Sequence, residues 1–153
     1  MKITITKFEN PASIAILHLD GTLDGANYES LISEAQKAYA AGDRDLLLDL
    51  GKLTFISSAG LGALHQVALL FQGKKHPGPE ESWAAYRWAA YHSINRLHYR
   101  GAQEHVKLLS PNKQVREVLD MIGFSSLFDI FTDLDQALAS FRQVTLASVA
   151  RLP

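Results

Sequence analysis

The chain has no cysteine, which excludes disulfide bonds, thiol nucleophiles and cysteine-ligated metal sites. It also has no run of roughly 18 apolar residues, the length that a membrane-spanning helix needs. Its first residues alternate polar and apolar side chains, unlike a signal-peptide core. A net charge of −1 with no basic block leaves little counterion-release free energy for nucleic acid. We therefore expect an unprocessed, cytoplasmic protein with no membrane span and no nucleic-acid partner.

The chain does contain enough apolar material for one ordinary globular domain: 153 residues, of which 47% are hydrophobic and 20% charged. No repeat, low-complexity tract or linker divides it, so residues 1–153 are expected to form a single domain. The six histidines suggest a metal only by their number. Because His92 and His98 are six residues apart on a predicted helix, they point to different faces. We expect scattered surface histidines, no metal site and no cofactor.

Strand and helix patterns alternate along most of the chain. Period-two alternation and short apolar runs predict strands at residues 3–8, 14–19, 46–50, 106–109 and 128–131. Apolar spacings of three and four predict helices at residues 28–39, 58–71 and 115–122, and a last helix that follows the capping-box pattern Thr132-Asp-Leu-Asp135. This order predicts an α/β fold in which helices pack against a mixed, partly parallel sheet that begins with an amino-terminal hairpin.

Residues of about 73–104 do not fit this alternation. Pro77 and Pro79 interrupt anything that continues from the second helix, and a helical pattern with an aromatic stripe follows over residues 80–99. We expect an inserted helical excursion. Its stripe either covers a flank of the same molecule's core or forms an additional docking surface.

The stretch Phe55-Ile-Ser-Ser-Ala-Gly-Leu-Gly-Ala-Leu64 places two serines between an apolar strand and a helix. A serine oxygen at a helix N-terminus can cap free backbone N–H groups, and a phosphate there is favoured by the same N–H groups and by the helix macrodipole. Ser58 could therefore be phosphorylated without loss of the fold. Plain N-capping is the alternative explanation for both serines.

The segment Asp49-Leu-Gly-Lys-Leu-Thr-Phe-Ile-Ser-Ser-Ala-Gly-Leu-Gly-Ala-Leu64, preceded by Leu19-Asp-Gly-Thr-Leu-Asp24, resembles the signature of the STAS domain, the fold of anti-sigma factor antagonists. The resemblance covers roughly residues 1–71 and 105–142. It implies that Ser58, or alternatively Ser57, is phosphorylated by a partner kinase that is also an anti-sigma factor. It further implies that a serine phosphatase restores the active form, so that the protein is a regulated binding switch and not an enzyme.

The same resemblance places a partner-binding surface around the serine, and we expect it to comprise Asp24, Asn27, Ser57, Ala59, Gly60, Leu61 and Gly62. Asp24 has either a functional role, in which it orients the serine hydroxyl for the kinase or contacts the partner, or a structural role as the cap of the first helix. Asn27 is either a cap or a contact residue. Gly60 and Gly62 permit close backbone approach, which is more often a structural role. A homo-oligomer is also compatible with the sequence.

The sequence is compatible with two other functions. The first is a scaffold STAS subunit of a larger sensory or transport assembly. The second is a small α/β enzyme that uses Ser58 or Asp24 as its reactive group. A serine hydrolase needs a base within about 3 Å of the serine oxygen, whereas His65 lies about 10 Å further along the same predicted helix. No Gly-x-Ser-x-Gly turn is present either, so the sequence favours the switch.

Overall fold

A computed structural model describes residues 1–9, 13–72 and 104–141 of the chain. Within these ranges one sheet contains five strands, which are β1 (Lys2–Phe8), β2 (Ile14–Leu23), β3 (Asp45–Ile56), β4 (Val106–Leu109) and β5 (Ile130–Phe131). The helices are α1 (Tyr28–Ala40), α2 (Ser58–Phe71), α3 (Lys113–Met121), α4 (Phe124–Leu127) and α5 (residues 134–141).

The strands lie in the order β1-β2-β3-β4-β5. β1 is antiparallel to β2, to which a short connection joins it, and the remaining neighbours pair in parallel. Parallel neighbouring strands require a crossover connection. Helix α1 lies in the crossover from β2 to β3, and the long segment after β3 leads to β4. The predicted α/β class, mixed sheet and amino-terminal hairpin are confirmed.

The two faces of the sheet carry separate apolar clusters because successive strand residues point to opposite sides. The larger cluster lies between the sheet and helices α1 to α4. It contains Leu17, Leu48 and Leu108 from the strands, with Leu31 and Leu64 from the helices. On the opposite face, α5 packs against β2, β3 and β4 through Ala137, Leu138 and Phe141.

Strands β2 and β3 are longer in the structure than the sequence pattern predicted. β2 continues past Asp20-Gly21 to Leu23, and β3 continues past Leu50 to Ile56. Gly21 has a φ of +117°, which glycine adopts without strain, so this pair lies within the strand instead of ending it. The longer strands carry β2 and β3 as a pair beyond the edge that β4 reaches.

Two predicted features near the carboxyl end are corrected. The strand expected at residues 128–131 is reduced to Ile130–Phe131, because residues 124–127 form the short helix α4 after a left-handed turn at Gly123. The last helix does not begin with the expected capping box. Asp133, and not Thr132, is its capping residue, since its carboxylate accepts from the Asp135 N–H at 2.9 Å.

One of the three described histidines does not lie on the surface as expected. His65 is 3% exposed within α2. His18 and His105 are half-buried, and each bonds to a carboxylate, Asp49 at 2.7 Å and Asp45 at 3.1 Å respectively. The remaining three lie outside the described residues, and they are His76, His92 and His98. Burial of a histidine on a core helix was missed because histidine looks polar in a sequence pattern.

Lys107 lies inside the apolar face that α5 covers and is 3% exposed. Its ammonium donates to the Ser140 hydroxyl at 2.9 Å and lies 4.7 Å from the centre of the Phe141 ring. Burial lowers the pKa of Lys107 below its ordinary value. The lysine thus connects β4 to α5 through both a hydrogen bond and a cation–π contact.

The predicted helix at residues 80–99 lies outside the described residues, and the single-domain organisation likewise stays a prediction. Across the described ranges, no helix combines the length and the apolar character required to cross a bilayer.

The His105–Asp45 pair predicts a pH dependence of stability. The hydrogen bond to Asp45 raises the pKa of His105, against the smaller lowering by burial. The stabilisation is therefore complete below the unfolded pKa of about 6.5 and is lost as the pH rises through the higher folded pKa. We expect Asp45→Asn to flatten the fall in urea-unfolding free energy as the pH rises above about 6.5. His105→Gln should flatten it equally, and an unchanged slope in both variants would contradict the assignment.

Candidate functional site

The start of α2 assigns different roles to the two serines. Ser57 is the capping residue: its backbone is extended, with φ −94° and ψ 177°, and its hydroxyl accepts from the Gly60 N–H at 3.3 Å. Its carbonyl accepts from the Leu61 N–H at 2.9 Å. Ser57 is therefore the N-cap of α2, a role that the sequence could not assign to one of the two serines.

Ser58 is the first residue of α2 and is exposed. Its hydroxyl makes no hydrogen bond to any described residue. The first turn of α2 contains no acidic or basic side chain, so the free N–H groups and the macrodipole determine the local field. An exposed hydroxyl without a structural bond can be modified at little cost to the fold.

The end of β2 fixes the position of this helix start. The Ser57 N–H donates to the Leu23 carbonyl at 2.9 Å. A Cβ on Gly60 would lie 2.7 Å from the same carbonyl oxygen and 2.8 Å from a side-chain carbon of Ile56. Because real Cβ contacts are longer, only glycine fits at position 60 without displacing backbone. Gly60 therefore has a structural role, the one that the sequence favoured. The other predicted contact residues of this helix start are Ala59, Leu61 and Gly62. Of these, Leu61 and Gly62 are buried.

Asp24 directly follows Leu23 and organises the turn that leads to α1. Its carboxylate accepts from the Ala26 N–H at 2.9 Å and from the Thr22 hydroxyl at 3.3 Å. It is not the capping residue of α1, since Asn27 occupies that position. The N-cap alternative for Asp24 is therefore wrong, and its carboxylate forms an Asx turn at the edge of the sheet.

Asn27 also does not cap α1 through its side chain. Its amide oxygen accepts from the Asp24 N–H at 3.0 Å, and its amide nitrogen donates to the Thr22 carbonyl at 2.8 Å. The two bonds connect Asn27 to Thr22 and Asp24, at the end of β2. Asn27 therefore holds the loop that carries Asp24 beside the carboxyl ends of β2 and β3, and the two loops with the predicted site residues meet at one edge of the sheet.

Phe55 is an exposed residue of this edge that the sequence analysis did not single out as a contact. Its side chain is 53% exposed. Between Gly21 and Thr22 the strand β2 advances one residue while β3 advances two, from Leu53 to Phe55. Such a bulge breaks the alternation of faces, so an apolar residue between buried positions points to solvent.

A second irregularity lies just before this bulge, where β2 advances two residues from His18 to Asp20 while β3 advances three from Asp49 to Lys52. Gly51 lies within that step. A glycine inside a strand pattern indicates a bulge, and this signal could have predicted that the faces of β3 exchange before Phe55.

Three comparisons identify proteins that this chain resembles. A model of the STAS domain matches residues 6–75. The chain is 29% identical over 142 residues to BtrV of Bordetella bronchiseptica, a candidate anti-sigma factor antagonist by its name, and the match covers 93% of this chain and 96% of that protein.

Solved structures resemble the fold as well. An anti-sigma factor antagonist from Mycobacterium paratuberculosis superposes with a TM-score of 0.61 at 16% identity, covering 92% of this chain and 95% of its own. A candidate anti-sigma factor antagonist from Thermotoga maritima gives a TM-score of 0.62 at 16% identity, covering 92% and 94%. At this identity the two structures support the fold alone, which is the mixed five-stranded sheet with packed helices.

The division of roles between the serines predicts unequal costs of substitution. Ser57→Ala should lower the free energy of unfolding by about 1 kcal/mol because it removes the cap. Ser58→Ala should change it by less than about 0.5 kcal/mol, since an exposed hydroxyl without a partner is removed. Urea denaturation of both variants measures the difference. Equal costs, or a larger cost for Ser58→Ala, would show that the capping assignment is wrong.

Proposed function

We propose that this chain, which carries a STAS domain, is an anti-sigma factor antagonist whose binding of its partner is controlled by phosphorylation of Ser58. In the unphosphorylated form the protein sequesters an anti-sigma factor that is also a serine kinase. A serine phosphatase removes the phosphate and restores binding. The name of the curated relative supports the partner class, and the geometry of α2 supports the choice of residue.

The observation that carries the proposal is the separation of the two hydroxyls at the start of α2. Ser57 is half-buried and its oxygen is used by the Gly60 N–H, whereas Ser58 is exposed and its oxygen has no partner among the described residues. A kinase must reach the hydroxyl and displace none of the bonds that hold the helix. Ser58 meets both requirements and Ser57 meets neither.

The charges near Ser58 determine the effect of a phosphate there. A phosphate group adds about −1.5 to −2 charges and three strong acceptor oxygens. The first turn of α2 has no basic side chain to neutralise that charge, while the helix N-terminus stabilises it in place. The phosphate therefore changes the surface without unfolding the helix, and a partner packed closely against Ser58 is displaced by its size and charge.

The surroundings of Ser58 suit a protein contact. Phe55 offers an exposed aromatic ring close by in the chain, and exposed aromatic residues are enriched at the centres of interfaces. Asp24 contributes a carboxylate held in a fixed orientation by Ala26 and Thr22. This carboxylate can orient the serine hydroxyl for the kinase or bind a donor of the partner.

The direct test is to map the phosphate. After incubation with the cognate kinase and ATP, intact-protein mass spectrometry should show one added phosphate, and peptide mapping should place it on Ser58. Ser58→Ala should abolish labelling because it removes the proposed acceptor hydroxyl. Ser57→Ala is the matched control, which should still be labelled as long as the protein remains folded.

Two outcomes would contradict the assignment. Labelling lost in Ser57→Ala but retained in Ser58→Ala would move the site to the capping residue. Absence of labelling of either serine by a kinase that binds the protein would favour an unphosphorylated scaffold subunit.

Asp24→Asn separates a functional carboxylate from a structural one. Asparagine retains an acceptor oxygen for the Ala26 N–H, so the free energy of unfolding should change by less than about 1 kcal/mol. Loss of the charge should slow phosphorylation or weaken partner binding by about tenfold, the equivalent of one charge-assisted hydrogen bond. Initial phosphorylation rates and titration calorimetry measure both. Glu117→Gln, an exposed carboxylate on α3, is the control, and equal kinetics in the two variants would assign Asp24 a purely structural role.

A further inference from the structure

Three side chains on neighbouring strands form a chain of hydrogen bonds on the sheet face that carries α5. Asp49 of β3 lies opposite His18 of β2 in the strand register. Asp49 Oδ2 lies 2.7 Å from His18 Nδ1, and His18 Nε2 lies 2.9 Å from the hydroxyl oxygen of Thr6 on β1. We call these three side chains the relay. Their order is carboxylate, imidazole and hydroxyl, which is the order in which a protein activates a nucleophilic hydroxyl.

The partners of His18 determine which of its nitrogens carries the proton when the imidazole is neutral. A carboxylate only accepts hydrogen bonds, so Asp49 requires the proton on Nδ1. Nε2 is then unprotonated, and the Thr6 hydroxyl donates to it. The second oxygen of Asp49 accepts from the Gly51 N–H at 3.0 Å, which fixes the orientation of the carboxylate. The basic nitrogen of the imidazole is therefore held against the hydroxyl.

The hydroxyl of Thr6 is accessible from solvent. Thr6 is exposed, and the side chain of His18 is 37% exposed. His18 also lines a cavity of about 330 Å³, which leaves space beside the imidazole for a small reactant. Thr4 provides an internal comparison, because it is exposed and lies opposite His18 in the register. The imidazole nevertheless bonds to the hydroxyl of Thr6 and not to that of Thr4.

The charges beside the relay decide which kind of group Thr6 could accept. The charged side chains that line the cavity are Lys2, Asp20, Asp49 and Lys52, two of each sign. Such a balanced surface does not neutralise a phosphoryl donor, whose transfer needs an excess of positive charge. The carbonyl carbon of an acyl donor is uncharged and has no such requirement. The surroundings of the relay therefore favour acyl transfer.

We propose that Thr6 is a covalent modification site that accepts an acyl group from a small, uncharged thioester. His18 is the base and Asp49 is a positioning residue. The Thr6 oxygen bonds to the carbonyl carbon of the thioester as its proton passes to His18 Nε2. The carbon–sulfur bond then breaks, and the departing sulfur takes the proton from Nε2. The products are an ester on Thr6 and a free thiol, so the step needs no further reactant.

The position of the relay in the sheet also limits the range of acyl donors. Strand β2 pairs with β1 on one side and with β3 on the other, so its backbone N–H groups are used in the sheet. These groups cannot stabilise the negative oxygen that forms during acyl transfer, and the loss of one such donor slows related reactions about 10²- to 10³-fold. We therefore expect thioesters, which have a good leaving group, to react and amides to remain intact.

The test incubates the full chain with S-acetyl-N-acetylcysteamine, a small uncharged acetyl thioester, and maps the acetyl groups by peptide mass spectrometry. Thr6 should be acetylated, and alkaline hydroxylamine should release this ester but not the amides formed on lysines. Thr4 and Ser58 are exposed hydroxyls without an imidazole bond among the described residues. They should be acetylated at least about tenfold more slowly, because a positioned base accelerates such reactions.

His18→Gln should lower the rate of Thr6 acetylation at least about tenfold, since the amide can form hydrogen bonds but is not a base. The amide spectrum of this variant checks that it is folded. His105→Gln is the matched control, because His105 also bonds to a carboxylate, and it should leave the rate unchanged. Equal acetylation of Thr4, Thr6 and Ser58, acetylation of lysines alone, or an unchanged rate in folded His18→Gln would each overturn the proposal. None of these outcomes depends on the proposed phosphorylation of Ser58.

Discussion

The contact between the end of β2 and the start of α2 is the constraint on which the rest of this site depends. The Leu23 carbonyl accepts from the Ser57 N–H at 2.9 Å, and the same oxygen leaves no room for a Cβ on Gly60. The helix can therefore approach the strand only with glycine at that position. This approach brings the helix start beside the turn at Asp24 and leaves Ser58 on the surface.

The capping arrangement gives the two serines different roles in the stability of the helix start. Ser57 satisfies a helix N–H and lies between the strand and the helix, whereas Ser58 takes no part in either task. A negative charge on Ser58 is compatible with the macrodipole of α2 but meets no basic residue in its first turn. A protein contact built on this surface can consequently be broken by one modification while the core of α2, buried from Gly60 to Ala68, stays intact.

Sequence patterns predicted those features of the fold that depend on interactions between residues close in the chain. The bounds of α2, Ser58 to Phe71, were predicted in full, and the class and hairpin followed from the order of elements. The patterns failed where tertiary contacts intervene. Strands β2 and β3 continue past two bulges, and the second bulge turns Phe55 to solvent. The identity of the capping serine likewise depends on a hydrogen bond that spacing alone does not resolve.

The most direct test of control by Ser58 compares the affinity of the unphosphorylated and the phosphorylated protein for the proposed partner. Unphosphorylated protein and protein fully phosphorylated on Ser58 are each titrated with the proposed partner, an anti-sigma factor, and the amide spectra of both states are recorded on the same samples. Phosphorylation is expected to weaken binding at least about a hundredfold, equivalent to about 2.7 kcal/mol, while amide shifts change only near residues 22–28 and 55–62. Undiminished affinity, or loss of dispersed shifts throughout α2 and the sheet, would contradict it.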